Sequence, residues 1–349
     1  MVRALTRIPP QRLADWGAAC LRATGVPGGD AQVVADALVQ TSVWGIDSHG
    51  ILRLTHYLDR LQRGSIRADA PGSIEDSGPC SANMDGGNGL GILHCRRAME
   101  HAIELARANG VGVVGVRHSS HCGAVGLYSR QAATQGLVGL AFTHATSIVV
   151  PHGGQRGYFG TNPISVAFPR EPSPLVLDMA TSQVAWNKVM NARIEGKALA
   201  PGLTVDGEGR PTTDPYHAAA LVPLGGTEYG YKGYGLAMMI DLLCGALNGM
   251  GYGPQLAHMY EDLDDFQELG HLVLALDPQR FAGGPTLQAT VAAMSADVVR
   301  AGTDVRVPGD PELDAERDRL AAGVPVEPQA LADMRDWSAR LGVRFPDAE

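Results

Sequence analysis

The sequence predicts an α/β protein whose two ends are helical. Three observations carry this. Apolar residues recur at helical spacing over the first seventy or so positions, compact apolar runs alternate with helical patterns through the middle, and helical spacing returns in the tail. The corresponding division is a helical part at 1–75, a central α/β region at 76–285 and a C-terminal helical part at 286–349.

The first helix is predicted over 10–25, with Leu13, Trp16, Ala19, Cys20 and Leu21 at helical spacing. A second follows over 30–44, placing Val33, Val34, Ala37, Leu38 and Val43 on one side. A third begins near Ser48, capped by Asp47 or Ser48, and ends before Gly64. A short strand at 80–84 and a turn at 85–91 precede a long helix over about 91–108. Strands are predicted at 111–116 and 138–143, separated by a helix at 124–134, with further strands within 160–169 and 175–178. Residues 195–215, rich in Gly, Pro, Asp and Thr, read as an irregular surface excursion. After a glycine-rich loop at 225–235 come an apolar helix at 236–247, a strand at 272–276 and a helix at 286–301. The tail at 310–341 reads as helix broken at 323–328.

Composition narrows the function classes. The net charge of −9 comes from 37 acidic and 28 basic residues with no Lys/Arg block, so nucleic acid is not an expected partner. The apolar run at 236–247 contains Asp241 and is too short to span a bilayer, and no opening segment reads as a signal peptide. A cytoplasmic protein without a membrane partner is expected. Cys20, Cys80, Cys95, Cys122 and Cys244 are widely spaced without a CxxC pair, which predicts reduced thiols rather than a disulfide frame or zinc knuckle. The 44 glycines permit many tight turns where backbone amides approach ligands.

Two nucleotide motifs fail on context. Gly110-Val111-Gly112-Val113-Val114-Gly115 satisfies GxGxxG, but its glycines enter and occupy a strand instead of forming the turn that opens a helix. Tyr229-Gly230-Tyr231-Lys232-Gly233 lacks the Ser/Thr that follows lysine in a Walker loop.

Other segments offer chemistry. In Ser48-His49-Gly50, with Arg53 a helical turn on, a proton-transfer group accompanies a cation able to grip a carboxylate, although both also suit the solvated side of a helix. His121 follows the 111–116 strand and is a second candidate acid or base, or else a histidine bonded at a strand–helix junction. His118 and His121 lack an H-E-x-x-H pattern or a nearby carboxylate pair, so no metal is expected. The turn around Thr161 and Asn162 permits close approach of a ligand, or is ordinary turn chemistry. Asp178-Met179-Ala180 ends a strand where Asp178 can meet a ribose hydroxyl or cap the next helix, and Lys188 on that helix can meet phosphate. Lys232 and Gly233 form the strongest phosphate-like loop. Arg306 and Gly309 add a tight turn with a cation that could close the same cleft or simply join two helices.

Five segments in order, Asp47-Ser48-His49-Gly50, Ser120-His121-Cys122-Gly123, Gly160-Thr161-Asn162-Pro163, Asp178-Met179-Ala180-Thr181 and Lys232-Gly233-Tyr234-Gly235, resemble the malate/L-lactate dehydrogenase family, which lacks a Rossmann fold. The resemblance runs over roughly 10–340 and is nearest to the ureidoglycolate dehydrogenase branch at 75–80, 181–193 and Met259-Tyr260-Glu261-Asp262-Leu263. It departs at 224–228, which is longer than in that branch, at Tyr229-Gly230-Tyr231, and at His144 and His152.

The resemblance implies a non-Rossmann sheet domain that binds cofactor and substrate, plus a helical domain built from both chain ends. It implies a homodimer or dimer-based oligomer that uses NAD or NADP on a small carboxylate substrate, interconverting 2-hydroxy and 2-oxo acids of ureidoglycolate, malate or lactate type. Ser48, His49 and Arg53 then fall in the active site, with His121 as the favoured acid/base over His49. His121, Thr161, Asn162, Asp178, Met179, Ala180, Lys188, Lys232, Gly233, Arg306 and Gly309 would meet the cofactor. The nearest alternative is an NADPH-dependent reductase of a cyclic imino acid such as piperideine- or pyrroline-2-carboxylate. A non-catalytic small-molecule binder is the rival from another class.

Overall fold

A computed structural model describes residues 5–346. The chain opens with β1 (Thr6–Ile8), α1 (Pro10–Ala23), α2 (Gly28–Val43) and α3 (Leu54–Arg63), followed by β2 (Ser73–Gly78) and β3 (Ser81–Asp85). The middle contains α4 (Gly91–Asn109), β4 (Val111–Ser119), α5 (Gly126–Ala133), β5 (Val138–Thr143), β6 (Ile164–Phe168) and β7 (Leu175–Met179). Then come α6 (Trp186–Glu195), the two-residue strands β8 (Thr204–Val205), β9 (Pro211–Thr212) and β10 (Ala220–Leu221), α7 (Gly226–Tyr229) and α8 (Tyr231–Cys244). Strand β11 (Leu269–Leu276), α9 (Gly284–Val299), α10 (Asp310–Ala322), β12 (Val324–Val326) and α11 (Pro328–Leu341) complete it.

Seven strands form one mixed sheet in the order β2-β3-β4-β11-β5-β6-β7. The β3–β4 pair is parallel and its other neighbours are antiparallel. Because side chains alternate along a strand, Val114, Val116, Ala141, Val273 and Ala275 pack against α4 and α5. Their neighbours Val113, Phe142, Leu272 and Leu274 face Ile240 and Cys244 of α8. Helices therefore cover both faces of the central strands, which explains their nearly continuous apolar sequences.

A separate core joins the chain ends. Leu13, Trp16, Leu38, Leu54 and Leu58 pack with Val324, Val326, Met334 and Trp337. Strand β1 pairs antiparallel with β12, and Trp16 Nε1 donates to Ser338 Oγ at 2.7 Å. Neither β1, β2 nor β12 was expected from the sequence; they are short or carry few apolar residues, so pairing rather than periodicity defines them.

Other expectations shift. The third helix starts at Leu54, preceded by two 3-10 turns at Asp47–His49 and Ile51–Arg53. Neither Asp47 nor Ser48 caps it; Asp47 Oδ2 instead accepts from Arg319 Nη2 of α10 at 2.9 Å. The glycine-rich stretch is helical: Lys232 and Gly233 lie in the first turn of α8. Gly233 is required there by proximity, because a Cβ would come 2.5 Å from Leu224 backbone atoms. The surface excursion contains β8 and β9, which form a small sheet with β10 just beyond it. Gly112 and Gly115 lie within β4, where a Cβ on Gly112 would meet the Ala102 carbonyl oxygen of α4 at 2.0 Å. They allow close packing, consistent with rejecting the dinucleotide motif. No helix among the described residues is long and apolar enough to cross a membrane.

Candidate active site

The end of β4 delivers His121 to a turn that packs on the start of α4. A Cβ on Gly91 would lie 2.0 Å from the Ser120 carbonyl oxygen, so glycine allows this approach. Ser120 Oγ accepts from Gly91 N–H at 3.0 Å and donates to Gly89 O at 2.9 Å. The His121 N–H donates to Gln267 Oε1 at 3.1 Å. Both ends of the turn are thus held.

Helix α3 brings Tyr57 against the same histidine. Tyr57 Oη lies 2.6 Å from His121 Nδ1, and Gly123 N–H also donates to Nδ1 at 3.3 Å. With two donors converging on Nδ1, the neutral ring accepts there and turns Nε2 elsewhere. Tyr57 Oη is also 3.3 Å from the His121 carbonyl oxygen. It can therefore redirect its hydroxyl proton and accept from Nδ1–H when the ring changes tautomer.

His49 stacks beside His121, with centroids 5.5 Å apart and planes inclined by 26°. Ser48 Oγ stands 2.8 Å from His49 Nδ1. Burial, then the Arg53 charge, lowers the His49 pKa to about 4. Burial, then His49 and Arg53, holds His121 well below the ordinary imidazole range. Both residues nevertheless retain partial exposure. Neutral imidazoles with an accessible edge are suited to exchanging a proton.

Arg53 donates through Nε and Nη2 to Ser48 O, at 3.2 and 2.9 Å, and through Nη1 to Tyr260 Oη at 3.0 Å. Three of its five N–H groups are thereby engaged, leaving two for a carboxylate. Tyr260 belongs to a loop gripped by fully buried Arg60, which donates to the carbonyls of His258, Met259, Asp262 and Asp265. Sequence reasoning missed Tyr57, Arg60 and Gln267 and gave Tyr260 no role at Arg53. The helical spacing Arg53–Tyr57 was a usable signal for one of them.

The remaining candidates form a second set. Asp178, at the end of β7, accepts from Gly126 N–H at 2.8 Å. Together with Trp44, Ile46, Arg130, Val176 and Glu312 it lines a small cavity. Burial raises the Asp178 pKa to about 6. Met179 and Ala180 follow on the same strand end, and Thr181 N–H and Oγ1 donate to Thr161 O at 2.8 and 2.9 Å. Asn162 uses its side chain internally: Oδ1 accepts from Ala145 N–H, and Nδ2 donates to Ala237 O and Asp241 Oδ2. Its hydrogen bonds shape the turn instead of projecting toward a ligand.

Lys188 and Lys232 are exposed on α6 and α8, and Lys232 Nζ lies 5.8 Å from the Tyr229 ring centroid. Gly309 has φ +97° and packs against Pro174 and Val176, two residues before Asp178. Arg306 pairs with Asp314 and lines a neighbouring surface cavity with Arg170 and Arg317. His118 turns toward Asp85, 3.1 Å from either carboxylate oxygen, whereas His121 turns toward Tyr57. The structure therefore gathers Ser48, His49, Arg53 and His121 into one cluster, and sets Asp178 on a small separate cavity with the Gly309 turn packed against the strand beside it.

Comparison with known proteins places the whole chain in a family. Ureidoglycolate dehydrogenase (NAD(+)) of Escherichia coli O157:H7 is 41% identical over 253 residues, 72% of this chain and 71% of the relative. The (2R)-3-sulfolactate dehydrogenase (NADP(+)) of Chromohalobacter salexigens is 39% identical over 319 residues, covering 90% and 92% of the two chains. The solved delta1-piperideine-2-carboxylate reductase of Pseudomonas syringae superposes with a TM-score of 0.86 at 30% identity, covering 95% of this chain and 99% of that one. With residues 8–335 matching the family described as malate/L-lactate dehydrogenase, the chain belongs to that family.

Proposed function

We propose that this protein is an NAD(P)-dependent oxidoreductase that interconverts a small 2-hydroxy acid and its 2-oxo acid, of ureidoglycolate, malate or lactate type. The observation that carries this reading is His121, tethered at Nδ1 by Tyr57 at 2.6 Å and stacked on His49 beside Arg53. The cavity at Asp178, about 10 Å³, is too small to enclose a dinucleotide and admits a single hydroxyl-sized group of one. Glu312 Oε2 is buried without a hydrogen-bond partner, and Asp178 adds a second carboxylate, so the cavity offers acceptors to a ribose hydroxyl. Asp178, the 179–181 turn and the Gly309 turn would hold the ribose end, while exposed Lys188 and Lys232 are available to phosphate.

When bound, the nicotinamide exchanges a hydride with C2 of the acid. Arg53 holds the carboxylate through its two remaining N–H groups. His121 Nε2 accepts the hydroxyl proton during oxidation and returns it during reduction, while Tyr57 serves Nδ1 in either tautomer. His49 orients the reacting oxygen. Positioning and charge complementarity lower the barrier.

Purified protein should oxidise NADH or NADPH with 2-oxo acids, and His121→Ala should lower kcat by about 10²–10⁴-fold while remaining folded and able to bind cofactor. Undiminished turnover would overturn the assignment of His121. The similarity to piperideine-2-carboxylate reductase supports a second reading, reduction of a cyclic imino acid with an adjacent carboxylate. Activity with cyclic imino acids and none with 2-oxo acids selects it. The exposed Leu236, Met239 and Leu242 of α8 support assembly as a homodimer, which sedimentation analysis tests by mass.

A further inference from the structure

Beneath the catalytic turn, three side chains with no part in the mechanism above converge from distant parts of the chain. Cys95 lies on α4, Cys122 follows His121, and His271 occupies the central strand β11. Both Sγ atoms and a ring nitrogen of His271 lie within 4.8 Å of one another. The three residues are at most 1% exposed. Their separation in sequence conceals the cluster, which is why the cysteines alone predicted only reduced thiols.

One orientation of the Thr143 hydroxyl leaves a ring nitrogen of His271 free to act as a ligand. Thr143 Oγ1 donates its proton to His144 O at 2.9 Å, so it acts as the acceptor toward His271 Nδ1 at 2.7 Å. With Thr143 so oriented, Nδ1 carries the ring proton and Nε2 carries the lone pair. That Nε2 is buried and has no hydrogen-bond partner. An imidazole held through Nδ1–H, with a lone pair left at Nε2, has the supporting geometry common in metal-ligating histidines.

We propose that Cys95, Cys122 and His271 form a binding site for a thiophilic d10 cation of the Zn(II) class, which ties the catalytic turn to α4 and β11. Binding forms two metal–sulfur bonds and one metal–nitrogen bond and releases one proton from each thiol. Two thiolates then balance a divalent charge, leaving a neutral centre compatible with burial. Tetrahedral zinc with Zn–S bonds of about 2.3 Å and Zn–N bonds of about 2.0 Å sets its donors roughly 3.5–3.8 Å apart, inside the 4.8 Å limit of this cluster. The fourth position falls to a non-protein ligand. Sulfur donors with imidazole favour this class of ion over magnesium or calcium.

The test uses the full-length protein carrying no metal-binding tag and refolded with one equivalent of Zn(II) or Co(II). The expected result is about one retained metal per chain after gel filtration. The cobalt form should show near-ultraviolet thiolate charge-transfer absorption, and the zinc form should show two sulfur scatterers and one imidazole nitrogen by X-ray absorption. Cys95→Ser and His271→Gln should each lower retained metal by at least tenfold. Should those variants fail to fold, X-ray absorption on the wild-type protein still decides through its sulfur count. Folded wild-type protein that retains no metal, a spectrum without sulfur ligation, or undiminished binding by folded variants would overturn the proposal. These readouts require no enzymatic activity, so they stand apart from the dehydrogenase reading.

Discussion

Tyr57 Oη stands 2.6 Å from His121 Nδ1 and 3.3 Å from the carbonyl oxygen of the same residue. One buried hydroxyl thus contacts a ring nitrogen and an alternative acceptor for its own proton. Replacing Tyr57 by Phe keeps the ring but removes this control. The expected outcome is a drop in kcat of about tenfold with little change in KM, and a stability loss of about 1–2 kcal/mol from the lost buried hydrogen bond. Steady-state kinetics and denaturant unfolding check both parts; unchanged kcat would remove Tyr57 from the mechanism.

Arg53 has two N–H groups left after its contacts with Ser48 and Tyr260. Arg53→Leu should raise KM for the acid substrate by about 10²–10³-fold, equivalent to losing about 3–4 kcal/mol of a charge-assisted contact. Arg53→Lys should recover only part of that loss, because an ammonium cannot form the planar fork. Equal KM values for all three proteins would show that the carboxylate binds elsewhere.

Asp178 gives a prediction whose sign depends on pH. Burial raises its folded-state pKa to about 6 from an ordinary value of 3.8. Its relative stability contribution is fully present below the unfolded value and is lost as pH rises through the folded value. At pH 7.5 the cofactor-free Asp178→Asn protein should therefore be more stable than wild type, by about 1–2 kcal/mol after discounting for partial exposure. The advantage should vanish below pH 4, while cofactor binding should weaken at neutral pH. Thermal unfolding at the two pH values and cofactor titration measure these effects, and a destabilised variant at pH 7.5 would refute the linkage.

Arg60 connects α3 to the loop carrying Tyr260 through four backbone carbonyls. Arg60→Met should destabilise the protein by about 3 kcal/mol or more, because buried carbonyls lose their partner. It should also open residues 256–268 to limited proteolysis and raise KM as Tyr260 loses its position on Arg53. Wild-type protease resistance in that loop would show that other contacts hold it.

The outline of the central sheet was legible because its strands carry compact apolar runs and its helices repeat every three or four residues. The Asp47–Arg53 region was less legible: Gly50 divides it into two 3-10 turns, and Asp47 and Arg53 find partners far along the chain, Arg319 and Tyr260. Lys232 and Gly233 looked like a loop because glycine density signals turns, yet the glycine permits close contact between α8 and Leu224. Similarly, Asn162 resembled a ligand-facing amide, but three internal partners use its side chain.

By itself the sequence determined which residues could exchange protons or grip a carboxylate, their order along the chain, the family they resemble and most helix and strand positions. Those properties are local: residue chemistry and periodicity operate over a few positions. The tertiary structure decided that Tyr57 serves His121 across 64 positions and that Tyr260 meets Arg53 across 207. It also gathered Cys95, Cys122 and His271 and placed Glu312 beside Asp178. Such meetings depend on strand order and on how helices pack over the sheet, so their long-range partners cannot be read from local spacing.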